Sequence, residues 1–195
     1  VADDGGSSGR LRNEMGILPP GDIRNCLVAL SDTENIMEKL FSYRFDTGTL
    51  KGHSLGNLFL AGMADTFGDF QKGIENVSKV FALRGSVYPS ALEQVVLSAE
   101  LVDGTFVKGE TQVRDTTGRI KRVYLEPEDC KAPPEALKAL EEADLVVLGP
   151  GSLYTSVLPN LLVKDIREKL KELDVPCIYV CNIMTEPGET DEFDV

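Results

Sequence analysis

Residues 144–173 constrain this chain most, because an apolar run, a glycine turn and an amphipathic segment follow one another there. Leu145 to Leu148 is continuously apolar, with Asp144 before it and Gly149-Pro150-Gly151 after it. A short run without alternation predicts a strand buried on both faces, as in a parallel sheet. Leu162, Ile166, Leu170 and Leu173 then share one helical face, opposite Lys and Glu. Strand, glycine turn and helix make half of a βαβ unit. Gly149 and Gly151 permit positive φ and a close approach of ligand to backbone, while Pro150 fixes its own φ. Ser152 stands where a helical turn would begin, so its hydroxyl and the N–H groups there suit a phosphate oxygen. Ligands of open α/β sheets bind beyond the carboxyl ends of the strands, which places the expected site here.

A chain of 195 residues suits one domain with one core. No apolar run is long enough to span a bilayer, and no signal peptide opens the chain. A net charge of −12 argues against a nucleic-acid surface, which needs a basic patch. It leaves room for a small anionic ligand held by local N–H groups. Four cysteines do not make a disulfide framework in a chain this long, and buried reduced thiols in a cytoplasmic protein are expected.

The chain opens VADDGGSSG. Val1-Ala2 reads as the last step of a strand whose beginning is absent. The loop after it carries Asp3, Asp4, Gly5 and Gly6. Carboxylates beside glycines suit Mg²⁺ or a ribose hydroxyl, and a flexible polar terminus is the plainer alternative. Asp22 is expected to cap a helix carrying Ile23, Leu27 and Leu30. Ser31 and Glu34 have capping-box spacing and open another, with Ile36, Met37, Leu40 and Phe41 inward. Ser54 starts a longer helical run that Gly68-Asp69 interrupts. From residue 86 the period changes to that of strands, Val95, Leu97, Ala99 and Leu101 alternating with their neighbours. Asp103-Gly104 predicts a type I′ hairpin, with positive φ at both residues. Residues 86–126 are expected as a small antiparallel insertion within a single domain spanning 1–195. Pro133-Pro134 opens a helix, and residues 176–181 predict a second fully apolar strand. Its following loop, Asn182 to Gly188, belongs beside Gly149–Ser152, because neighbouring parallel strands present their carboxyl ends together. No final helix follows.

Gly52-His53-Ser54-Leu55-Gly56 has the form of a hydrolase nucleophile elbow. In that fold the triad histidine follows the serine, and the single histidine here precedes it. Residues 47–51 also make a poor buried strand. Ser54 is therefore expected as a helix cap, with His53 in a ligand-facing turn between glycines.

The segments DDGGSSGRLR (3–12), LPPGDIRNCLVALS (18–31), GHSLGNL (52–58), LGPGSLYTSVLPNLLV (148–163) and CNIMTEPGET (181–190) together resemble the gluconeogenesis factor family, the YvcK-like proteins. These share a superfamily with the CofD-like 2-phospho-L-lactate transferases. The resemblance runs the length of the chain, with its motifs in order. It implies an α/β fold with a Rossmann-like three-layer core, a mainly parallel sheet, a helical segment and the small antiparallel hairpin insertion. It also implies a cytoplasmic location and a nucleotide or nucleotide-sugar ligand such as UDP-N-acetylglucosamine. The implied function is regulation of carbon metabolism, gluconeogenic growth and cell shape. The transferase branch implies instead an Mg²⁺-dependent transfer of a phosphorylated group, and a non-catalytic scaffold is a third reading. No other cofactor is implied, and a homodimer is carried as the assembly to test. Matching residue by residue, Asp3, Asp4, Gly5 and Gly6 fall on the family's acidic loop, with Asp3 and Asp4 as the metal candidates and the only catalytic ones. His53, Ser54 and Asn57 fall on its second turn. Gly149, Gly151, Ser152, Thr155 and Ser156 fall on its phosphate-side loop, and Asn182 and Thr185 on the loop after the last strand. Family members begin with a strand and a GGGTG-like turn that this chain lacks, and they continue past Val195, so both ends look truncated.

Overall fold

The structure, a computed structural model, describes residues 2–32, 34–191 and 193. Two compact units emerge, Asp3–Leu92 in the first and Ala2 with Glu93–Val195 in the second.

The first unit is helical: α1 (Gly6–Met15), α2 (Gly21–Ala29), α3 (Glu34–Ser42), α4 (Leu55–Phe67) and α5 (Phe70–Val80). Helix α1 corrects the expected polar loop, since Gly6 to Gly9 form its first turn. Glycine and serine are weak helix formers, but Ser7, Ser8, Gly9 and Leu11 are buried, and packing outweighs propensity. The expected strand end at Val1 lies outside the described residues. Asp22 is not the cap of α2 but sits in its first turn. Pro20 has already turned into helical geometry, and its carbonyl accepts Arg24 N at 2.8 Å. The expected capping box paired Ser31 with Glu34; Thr33 and the Glu34 side chain lie outside the described residues, and so does that pairing. Only Met37 and Phe41 of the four α3 residues expected inward are buried, while Ile36 and Leu40 are exposed. Positions 37 and 41 are one helical turn apart, and α3 is covered along that narrow stripe. Ser54 caps α4 as expected, and Asp69 caps α5 by accepting Lys72 N at 2.8 Å. Between them Gly68 takes the left-handed conformation, φ 66°. The core gathers Ile23, Leu27, Leu60, Ile74 and Val77, with the rings of Phe41, Phe59 and Phe81 in mutual contact beside it.

The second unit holds β1 (Val96–Leu101), β2 (Phe106–Lys108), α6 (Glu110–Arg114), β3 (Ile120–Glu126), α7 (Pro134–Glu141) and β4 (Val146–Leu148). A π-helical turn, Leu153–Val157, then leads into α8 (Leu158–Leu162), α9 (Lys164–Glu172) and β5 (Cys177–Tyr179). The expected inward set is buried, Val95 just before β1 and Leu97, Ala99 and Leu101 within it, but Ser98 of the expected outward set is buried too, its hydroxyl donating to Glu126 at 2.7 Å. Strand β1 pairs antiparallel with β2 and β3 in the order β2-β1-β3. The hairpin turn differs from the expected type I′. Gly104 has φ 85°, but Asp103 is not among the residues with positive φ. Gly104 N donates to Leu101 O, and Leu101 N donates to Thr105 O. That pattern is a type I turn closed by a left-handed glycine, the usual three-residue loop. The Asp103 carboxylate accepts Thr105 N at 2.9 Å, which keeps Asp103 in the ordinary region and leaves positive φ to glycine.

Strands β4 and β5 pair parallel, Val146 opposite Cys177 and Leu148 opposite Tyr179. They are shorter than expected and not buried on both faces. Val146 is buried, but Val147 is 51% exposed and Ile178 50% exposed. A two-stranded parallel ribbon is all that forms here among the described residues, so no third layer covers it, and the larger sheet is the antiparallel one. The architecture is mixed α/β. The expected continuous helix after the glycine turn is broken at Val163, which is extended (φ −66°, ψ 111°) and almost fully buried. The cysteine expectation is also corrected. Cys130 is buried, but Cys26, Cys177 and Cys181 are exposed, the latter two because they belong to the uncovered β5 region. Among the described residues no helix is long and apolar enough to cross a membrane.

Candidate functional site

The sequence-predicted residues fall into two clusters, one in each unit. In the first unit, Asp3 to Gly6 lead into α1, and His53 to Asn57 lead into α4. These segments are cross-linked by buried side chains. The Ser7 hydroxyl and His53 Nδ1 share a hydrogen bond of 3.0 Å. Asn57 Nδ2 donates to Ser8 Oγ at 3.3 Å. Arg24, from α2, donates to Ser54 Oγ at 3.0 Å and to Asn57 Oδ1 at 3.4 Å. The glycines make this closeness affordable in space: a Cβ on Gly21 would lie 2.4 Å from Asp3 Oδ2, and one on Gly56 2.8 Å from Arg24 Cδ. Burial, and then the Arg10 charge, push the His53 imidazole below its ordinary value. His53, Ser54 and Asn57 spend these polar groups inside the unit, which gives them a positioning job. Asn57 had no local sequence signal beyond the resemblance. Ser7, Ser8 and Arg24 were not singled out at all, and nothing in their spacing marks them.

Ser54 carries no hydrolase geometry. It is fully buried, and its Oγ accepts Asn57 N at 3.2 Å and the Arg24 guanidinium. Replacing it with alanine removes a cap and should lower stability by about 1 kcal/mol. Thermal melting reads that loss. Fluorophosphonate probes should leave the protein unlabelled, and stoichiometric labelling at Ser54 would restore the hydrolase.

The Asp3 carboxylate lies against Gly21 at the start of α2. Asp3 Oδ1 accepts Gly5 N at 2.9 Å. Asp22 is raised above the usual carboxylate range, first by burial and then by the Asp3 charge. A divalent cation would relieve that repulsion. Among the described residues, however, no group of three or more His, Cys, Asp and Glu could hold a metal by itself, so any Mg²⁺ there would need oxygens from a ligand.

The second cluster forms at the carboxyl ends of β4 and β5. The loop after β4 and the loop after β5 face each other across an open cleft of about 680 Å³. Gly151, Ser152 and Ser156 line one side, and Asn182, Thr185 and Glu186 the other. Gly149 has φ 87°, and a Cβ there would lie 2.8 Å from Val180 O; the backbone of β5's extension passes that closely. Gly151 has φ 155°. Asn182 Nδ2 donates to Gly151 O at 3.1 Å and ties the two loops together. Ser152 precedes the π turn, and its carbonyl accepts both Ser156 N and Val157 N. Such turns recur at functional sites.

Two carboxylates that sequence reasoning missed complete this cluster. Glu189 is buried and accepts Tyr154 N and the Thr155 hydroxyl, each at 2.8 Å. Glu186 accepts the Ser152 hydroxyl at 3.0 Å. Thr155 is therefore turned to Glu189 and is not part of the cleft lining. The acidic letters of TEPGET were visible, but they lie more than thirty residues from the glycine turn, and only the tertiary arrangement pairs them.

Comparison with known proteins places the chain. A family model described as "2-phospho-L-lactate transferase CofD" matches residues 1–195. The "Gluconeogenesis factor" of Halalkalibacterium halodurans is 54% identical over 194 residues, covering 99% of this chain and 60% of that protein. That of Bacillus subtilis is 55% identical over 191 residues, covering 97% of this chain and 60% of that protein. A crystal structure of a Bacillus halodurans member of the UPF0052 family superposes with a TM-score of 0.94 at 54% identity, covering 99% of this chain and 63% of that one. The chain thus spans about three fifths of the length of these relatives. With the full-length match and the near-identical fold, the chain belongs to the 2-phospho-L-lactate transferase CofD family, with gluconeogenesis factors among its relatives.

Proposed function

We propose that the cleft at the ends of β4 and β5 binds the phosphate-bearing part of a nucleotide-sugar of the UDP-N-acetylglucosamine kind. On this reading the protein is a cytoplasmic regulator of gluconeogenic carbon metabolism and cell shape, with a Rossmann-like core in the complete protein. The observation that carries the proposal is the meeting of two loops over one open cleft. Both loops follow adjacent parallel strands, and one is a glycine turn with hydroxyls on it. That is the position where open α/β sheets take their ligands, and glycines there let a phosphate reach backbone N–H groups. The gluconeogenesis factor name of the relatives supports the metabolic role. Within the first unit by itself, Asp3 and Asp4 are the proposed holders of Mg²⁺ or a hydroxyl group.

The family description favours a second reading, an Mg²⁺-dependent phospho-transferase. A thermal-shift screen against UDP-N-acetylglucosamine, GDP, NAD and FAD separates these readings from a scaffold. Ligand at a hundredfold excess over its Kd adds about 2.7 kcal/mol of stability, so a UDP-sugar should raise the melting temperature clearly. Consumption of the bound ligand in the presence of Mg²⁺ would favour the transferase, and a flat screen would leave only the scaffold.

A further inference from the structure

Glu186 is out of place in a phosphate cleft. It lines the same opening as Ser152, and a carboxylate there repels the anion that the turn would hold. Its Oε1 accepts the Ser152 hydroxyl at 3.0 Å, so a donor of the turn is already occupied. Its Oε2 is shielded from solvent and has no hydrogen-bond partner among the described residues. A carboxylate oxygen that has lost water without gaining a donor is costly. The backbone of the residue is nonetheless well held. Glu186 N donates to Thr190 Oγ1 at 2.8 Å, and Glu186 O accepts Glu189 N and Thr190 N. Glu189 in turn ties the loop to Tyr154 and Thr155. The Glu186 side chain can therefore turn outward without breaking any of those bonds.

We propose that Glu186 is an internal competitor for the ligand's phosphate: its carboxylate holds the Ser152 hydroxyl when the cleft is empty and swings into solvent when a phosphate oxygen takes that donor. The inference rests on the reading of the cleft as a phosphate site. Turning outward rehydrates Oε2 and removes a negative charge from beside the incoming anion. The rehydration offsets part of the lost Ser152 bond whatever enters, whereas the removal of charge favours only a phosphorylated ligand, so a neutral nucleoside gains nothing from that second effect. The competitor sets affinity and discriminates in favour of ligands with enough phosphate charge to displace it.

Calorimetry on wild type, Glu186→Ala and Glu186→Gln, with pyrophosphate, UDP-N-acetylglucosamine and uridine, tests this. Glu186→Ala should bind pyrophosphate and UDP-N-acetylglucosamine about tenfold more tightly than wild type, the scale of one charged hydrogen bond. Glu186→Gln, which keeps an acceptor for Ser152 but no charge, should fall between them and provides a near-isosteric variant should alanine loosen the loop. Uridine binding should not change. Weaker or unchanged pyrophosphate binding in the variants, with melting curves like wild type, would show that Glu186 supports the site, and the competitor would be overturned. Equal tightening for uridine would mean general loosening and would overturn it as well. Failure of all three proteins to bind either phosphate ligand would remove the cleft reading itself, and the competitor with it.

Discussion

Gly151→Val is expected to weaken nucleotide-sugar binding by roughly tenfold to a hundredfold while the fold survives, from about 1–3 kcal/mol of backbone strain transferred to the site. Gly151 holds φ 155°, and its Cβ position lies 3.1 Å from Ser156 Cβ across the π turn. A β-branched side chain does not sit comfortably at that φ. It would either crowd Ser156 or pull the turn out of line with Asn182, whose amide holds Gly151 O. Either movement displaces the backbone that a phosphate would approach. Calorimetry with UDP-N-acetylglucosamine reads the affinity, and circular dichroism confirms the fold. Wild-type affinity in a folded Gly151→Val protein would reduce the glycine turn to a connection.

The largest stability effect is expected at Gly9. A Cβ there would fall 2.1 Å from Asp4 O and 2.7 Å from Asp4 C. Those are backbone atoms that cannot step aside as a side-chain tip can. Gly9→Ala therefore overpacks α1 against its own entry segment and should cost about 3 kcal/mol, the upper part of the usual range for forced overpacking. The melting temperature should fall by roughly 6–12 °C for a chain of this size. Gly62→Ala is the matched control. Gly62 lies in the exposed face of α4 with nothing within 4 Å of its Cβ position, so alanine there should stabilise by about 0.5–1 kcal/mol. Equal melting temperatures for the two variants would show that the contact between Gly9 and Asp4 does not constrain the fold.

The sequence by itself determined what depends on neighbours along the chain. The cap at Ser54, the break at Gly68-Asp69, the inward apolar residues of β1 and the strand character of β4 and β5 follow from local residue types and periods. The glycine turn at residues 149–151 and its neighbourhood to the loop at Asn182 were legible for the same reason, because parallel strands carry their ends together. What only the tertiary structure decided concerns burial and partnership across long separations. Gly6 to Gly9 became helix because packing outweighed their poor propensity. Ser54, Asn57 and Ser8 were joined through Arg24 and Asn57, across up to 49 residues of chain. Glu186 and Glu189 reached Ser152, Tyr154 and Thr155 from more than thirty residues away. A single sequence carries periodicity and turn chemistry in its adjacent letters. It does not carry which hydroxyl a distant carboxylate will meet, because that depends on close packing of whole elements and on the cost of leaving a polar group unpaired.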